Sequence, residues 1–255
     1  LGGLIGGFIL MRFLWGGIGW QYLSLLLAIP AVVGAALIYA YSRTRSTHKE
    51  FSGPTEYIHS VKSLLRNKDF LGILAINGVQ SLIFNALTIF MVIYMKEDLR
   101  FSDLTIGYHL ALMSIASMIG SPLIGKATDL IGRRPMIFTS VLSYGILIFC
   151  LMFFGTGILF TILLPLLGIF MLSINPLLLA ASIDCSRKGI EGSGVAVMFS
   201  TGALFGGISP IIAGVLRQNH GMDGVFYYCG ILAFIVALFT LFIPMRRSEN
   251  NSSNM

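Results

Sequence analysis

Apolar stretches alternate with short polar connections along the whole chain. They fall at 1–14 (incomplete), 18–41, 69–95, 104–125, 135–155, 157–181, 193–216 and 223–244. A run of about 20 apolar residues, rising 1.5 Å each as a helix, crosses a hydrocarbon core about 30 Å thick. Membrane strands would instead alternate every second residue over about 10 positions, and no such pattern occurs. The pattern predicts an all-α membrane protein with about eight transmembrane helices, the first of them entered part-way.

Composition agrees with that reading. Hydrophobic residues make up 56% of the chain and charged residues 11%, and mean hydropathy is +0.86. A soluble domain of this length would carry far more surface charge. The basic residues also sort by connection. One set of alternate connections holds Arg43, Arg45, Lys49, Lys62, Arg66, Lys68, Lys126, Arg133, Arg134, Arg187, Lys188, Arg246 and Arg247. The other holds Arg12, Lys96, Arg100 and Arg217. The positive-inside rule puts the first set, and with it the C-terminus, on the cytoplasmic side. The net charge of +6 therefore reflects orientation rather than nucleic-acid binding.

The longest polar connection runs from about Ser42 to Asp69 and carries a Gly53-Pro54 breaker. Within residues 57–66, Ile58, Val61, Leu64 and Leu65 recur at helical spacing while Lys62 and Arg66 share another face. That predicts a helix lying at the membrane interface, either a connector or a regulatory, lipid-sensing segment.

Polar residues inside the spans narrow the chemistry. Asn77, Gln80, Ser81, Asn85 and Thr88 fall within an arc of roughly 140° at 100° per residue. Amides do not face lipid, so this stripe points either at a solvated substrate cavity or at a hydrogen-bonding neighbour helix. Asn175 and Pro176 are expected to interrupt the 157–181 span, freeing a carbonyl for a bend or a ligand. Ser114, Ser117 and Ser121 share one face and read as a packing seam. His109 reads either as a proton carrier or as a hydrogen-bonded structural histidine. No Asp or Glu falls in the middle of any span, so a titrating carboxylate is either supplied elsewhere or not used. Cys150, Cys185 and Cys229 are widely spaced, and no metal-binding cluster or cofactor motif is seen. An enzyme would need convergent catalytic groups at depth, and the four histidines and three cysteines form none.

Between the 104–125 and 135–155 spans lies Gly125-Lys126-Ala127-Thr128-Asp129-Leu130-Ile131-Gly132-Arg133-Arg134-Pro135, which reads as a short charged loop. Gly125 ends a span where a side chain would obstruct a neighbour, and Gly132 permits a tight turn. Pro135 suits a first helical turn, and Arg133 and Arg134 suit acidic partners. Asp129 needs donors at the membrane edge; the amides of the helix starting near Gly192-Ser193-Gly194 are the natural receptor. Asp184, in a turn closing another span, completes an expected Asp129–Arg133–Asp184 network.

This stretch resembles the loop signature of the major facilitator superfamily, with Leu130 standing where a basic residue is usual. The resemblance implies a secondary transporter in which Gly125, Asp129, Gly132, Arg133 and Arg134 form a gating latch. Gly2, Gly3, Gly6 and Gly7 resemble the end of a Gly-Pro-x-x-Gly-Gly motif of drug–proton antiporters, although Gly3 replaces the proline. With Gly202 and Gly206 they also permit close helix packing. The chain opens on Leu1, inside a span, and reads as a fragment lacking about four helices. Residues 1–42 would be the last two helices of an N-terminal half, 43–68 the connector between halves, 69–245 a C-terminal six-helix half and 246–255 a tail. The order of small and apolar residues around 3–23 is echoed at 210–228, as expected of repeated halves. The implied protein is a monomeric plasma-membrane carrier, probing a small organic solute and possessing no cofactor. A proton-coupled exporter of drugs or metabolites is the reading; sugar or organic-acid uptake and a non-transporting receptor are the alternatives.

Overall fold

The computed structural model describes residues 28–29, 32–40, 61–154, 157–186 and 190–242. The connector around Gly53-Pro54, the glycines Gly2, Gly3, Gly6 and Gly7, and the tail from 243 lie outside them. Residues 32–40 are helical, within the expected 18–41 span.

Helix α1 covers Lys68–Ile93 and continues through a π-helical turn, Tyr94–Asp98. Asn67 starts it: its side chain accepts from the Asp69 amide at 3.0 Å, and Asp69 places negative charge on the helix's positive end. Helix α2, Asp103–Ile131, opens in the same way on Ser102, whose Oγ accepts from the Thr105 amide at 3.2 Å. Helix α3 covers Arg133–Phe154 and helix α4 Gly157–Cys185. Helix α5 covers Glu191–Thr240 but is broken at Gly221, with φ 67° and ψ −163°. A straight helix of 50 residues would be about 75 Å long, more than twice the hydrocarbon thickness. The non-helical glycine divides it into two arms of spanning length, as the separate 193–216 and 223–244 spans anticipate.

These five helices are all long and apolar enough to cross a membrane. Prolines 122, 165, 176 and 210 lie inside them without ending them. Asn175-Pro176 thus does not interrupt α4, contrary to the sequence expectation. Pro176 removes only one backbone donor, and the flanking turns hold the helix through it. The Ser182–Arg187 segment is likewise helical as far as Cys185, so Asp184 sits on the last turn of α4 rather than in a loop.

Two parallel pairs organise the unit: α1 packs on the first arm of α5, and α2 on α4. Helix α3 packs against α4 and α5. The pairs close on small residues. A Cβ on Gly120 would lie 2.5 Å from Ile169, and one on Gly168 would lie 2.9 Å from the Met113 carbonyl oxygen. Ser121 Oγ and Ser173 Oγ are hydrogen-bonded at 2.7 Å across the same seam, and Ser173 in turn donates to the Ile169 carbonyl at 2.5 Å. Ser114 serves its own helix, donating to the Leu110 carbonyl. The outer surface is apolar, with Leu130, Ile158, Ile211 and Phe153 largely exposed, as a lipid-facing surface requires.

Gly168→Ala is expected to push α2 from α4, because the Met113 backbone oxygen, and not its side chain alone, obstructs the added methyl. The expected loss is about 1–3 kcal/mol. Gly207→Ala meets open space and should leave stability unchanged or raised by up to about 1 kcal/mol. Unfolding of the two variants in detergent measures the contrast.

Candidate functional site

The charged stretch between α2 and α3 is not a loop. Residues 125–131 are the last turns of α2, Arg133–Pro135 the first turn of α3, and Gly132 alone is non-helical. Its φ of 103° is a backbone state that side-chain-bearing residues rarely adopt. The Gly132 amide donates to the Thr128 carbonyl at 2.8 Å and its carbonyl accepts from the Met136 amide at 3.4 Å. One residue thus caps both helices. Keeping the helices this long satisfies backbone groups that a loop at the membrane edge would leave open.

This turn aims two arginines in different directions. Arg133 Nη2 lies 2.8 Å from Asp184 Oδ2, tying the start of α3 to the end of α4. Its Nη1 is buried without a partner among the described residues. Arg134 Nε donates to the Thr240 carbonyl at 3.2 Å, tying α3 to the end of the second arm of α5. A fourth helix end joins through Asn67, whose Nδ2 donates to the Cys185 carbonyl at 3.3 Å. The ends of α1, α3, α4 and α5 are therefore knotted together at the basic end of the bundle.

Asp129 stands apart from this knot. It is exposed and makes no hydrogen bond or ion pair with a described residue, so the expected clasp on Gly192-Ser193-Gly194 is not formed. The reason is topological: α2 packs on α4, whereas the start of α5 belongs to the α1 pair. Ser193 and Gly194 are buried instead, and Gly194 lies against Ser186 and Phe70. Gly125 meets nothing within 4 Å, so no described neighbour requires its lack of a side chain. Gly125 and Asp129, one turn apart, share a face of α2 that the described helices leave open.

The polar stripe of α1 divides. Asn77 is buried and donates to the Met198 carbonyl of α5 at 2.8 Å. A Cβ on Gly202 would sit 3.0 Å from Ser81 Oγ, and one on Gly206 would collide with the Asn85 amide. Asn77, Ser81 and Asn85, four residues apart, thus meet Met198, Gly202 and Gly206, also four apart. Two parallel helices mesh in register there. Asn85 Nδ2 donates to the Ser81 carbonyl at 3.0 Å, and Ser209 Oγ donates to the Leu82 carbonyl. Gln80, fully buried, turns to α3 and accepts from the Tyr144 hydroxyl. Asn77 and Gln80 therefore line helix seams rather than an open cavity, because an arc of that width reaches two neighbours. Thr88 and Asn175 are exposed.

His109 is buried between α2 and α4. Its Nδ1 is 2.8 Å from the Thr105 carbonyl and its Nε2 3.1 Å from Thr161 Oγ1. A carbonyl only accepts, so Nδ1 carries a proton and donates it to Thr105. Phe101 stacks on it, with ring centroids 5.3 Å apart. Both ring nitrogens are thus engaged by neighbours.

At the opposite end the sequence reading missed a clamp. Arg217, closing the first arm of α5, lies 2.6 Å from Glu97 and 3.5 Å from Asp98 on the π-helical turn of α1. Lys96 pairs with Asp103 nearby. The five-residue turn is what brings both acids round to one cation. The sequence signal was faint: two adjacent acids at a span end and one base 120 residues later.

A family model described as Major Facilitator Superfamily matches residues 73–254. The chain belongs to the major facilitator superfamily. It is 30% identical over 177 residues to "Multidrug resistance protein MdtG" of Proteus mirabilis, covering 66% of this chain and 42% of that protein. It is 26% identical over 148 residues to "Uncharacterized MFS-type transporter MJ1560" of Methanocaldococcus jannaschii, covering 58% and 38%. It is 29% identical over 157 residues to "Putative polyol transporter 2" of Arabidopsis thaliana, covering 55% and 30%. The matched part of this superfamily chain thus spans less than half of each relative's length. Two of these three relatives are named as transporters and none as an enzyme.

Asp184→Asn is expected to lower stability by about 1 kcal/mol, modest because the Arg133 pair is partly exposed. Asp129→Asn should change it by under about 0.5 kcal/mol, lacking any partner to lose. Denaturation of both variants in detergent tests this difference.

Proposed function

We propose that this chain is part of a secondary active carrier that moves a small organic solute by alternating access. Residues 1–42 close an N-terminal half, 43–68 connect the halves, 69–245 form the C-terminal six-helix half and 246–255 the tail. The basic end faces the cytoplasm of the cell, in the plasma membrane, and the working unit is a monomer. Drug or metabolite export driven by protons is the favoured activity, supported by the relatives named for multidrug resistance. The polyol-named relatives support a second reading, uptake of a polyhydroxy solute.

The observation that carries the proposal is a family match laid over a unit of spanning helices tied at both ends. Arg133–Asp184, Arg134–Thr240 and Asn67–Cys185 join four helix ends at one side, and Arg217 joins two at the other. A unit held in this way moves as one body, as rocking between two halves requires. Asn175 and Thr88 are offered to the solute, with Ser81 and Asn85 behind them on the seam. Gly125 and Asp129 form the face of the latch that meets the other half: a small residue for close approach and an acid for its donors.

Solute flux into vesicles carrying the full-length protein, with and without a pH gradient, tests the activity. Export readings require gradient-dependent movement of cationic or aromatic drugs, and a polyol moving instead selects the second reading. No flux across a broad panel would defeat both. Asp129→Asn should raise cysteine labelling of the cytoplasmic cavity mouth several-fold, and unchanged labelling would remove Asp129 from the latch.

A further inference from the structure

A cavity of about 600 Å³ opens at the basic end of the bundle, beneath the helical residues 61–65. Its described lining includes Lys62, Ser63, Leu64, Arg66, Asn67 and Cys185, with no carboxylate among them. Leu64 is 97% buried in the core and fixes the segment in place. Asn67 has both ends of its amide engaged, one on the Asp69 backbone and one on the Cys185 carbonyl.

The remaining donors are free. Lys62 and Arg66 are exposed, and neither side chain has a partner among the described residues. The Ser63 hydroxyl likewise has none. Of the acids near Cys185, Asp184 already holds Arg133, and Asp69 forms no ion pair with Lys62 or Arg66. Two cations one helical turn apart repel each other, so their arrangement on one cavity wall is unfavourable until an anion lies between them. A guanidinium, an ammonium and a hydroxyl make a donor set suited to the oxygens of a phosphate group.

We propose that this cavity binds a phosphate group, held by Lys62, Arg66 and Ser63. An anionic phospholipid at the membrane edge presents one, and a soluble phosphate presents the same chemistry. The site uses nothing from the transport reading and would stand if no solute were carried.

The test is thermal melting of the full-length protein in phosphatidylcholine nanodiscs. One arm adds increasing phosphatidylglycerol; the other adds inorganic phosphate against chloride at equal ionic strength. Saturable stabilisation is expected in at least one arm. Lipid alone acting identifies the headgroup as the source, and phosphate acting as well shows that the isolated group suffices. The double variant Lys62→Gln, Arg66→Gln should weaken the response roughly 30-fold, the loss of two near-surface cations. The charge-keeping exchange Lys62→Arg, Arg66→Lys should retain most of it, and Lys126→Gln, elsewhere on the same end, should retain all. Absence of stabilisation in both arms overturns the site, as does a double variant that responds like the wild type. Equal loss in Lys126→Gln would also overturn it, by showing a general charge effect.

Discussion

Helices in hydrocarbon gain little by hiding apolar surface from a solvent that is itself apolar. What holds them is close packing and the polar bonds that such closeness allows. In this protein the constraint is met at Gly120, Gly168, Gly202 and Gly206, where side chains of the neighbouring helix, and at Gly168 its backbone too, crowd the space that a methyl group would take. Each close approach brings a short polar side chain into reach of a neighbour: Ser121 of Ser173, Asn77 of the Met198 carbonyl. The glycines and the hydrogen bonds are one device. Without the first the second could not form, and without the second the buried amides would be a cost.

The helix ends follow a different rule, since water and headgroups are available there. Charges gather at the ends because they cannot sit between them. At the basic end Gly132 reverses the chain in a single residue, and that economy points Arg133 and Arg134 at two different helices. At the other end the π-helical turn of α1 carries Glu97 and Asp98 round to Arg217. Both ends thus tie elements that lie far apart in the chain.

How legible each feature was in the chain depended on its range. The spans from 69 onward could be read with little error because twenty apolar residues in a row permit few other structures. The Gly125–Pro135 stretch was misread as a loop. Its glycines and charges are loop-like in isolation, but a helix that continues keeps its backbone bonded. The division of the α1 stripe was hidden for another reason. Angular position puts Asn77 and Gln80 on the same side, yet only the packing says that one meets α5 and the other Tyr144 of α3. His109 showed its character only through Thr105 and Thr161, the second of them 52 residues away.

The order of residues was enough to establish that this is a helical membrane protein, where the spans from 69 onward run, and which superfamily it resembles. Those follow from local hydropathy and from a short motif, both of which survive without knowledge of neighbours. The pairing of helices lay beyond it. Asp129 was expected to find the start of α5, but α2 lies against α4 and leaves that acid uncovered. An acid's partner is whatever the packed bundle brings within about 3 Å, and that distance belongs to the assembled helices, not to any one of them.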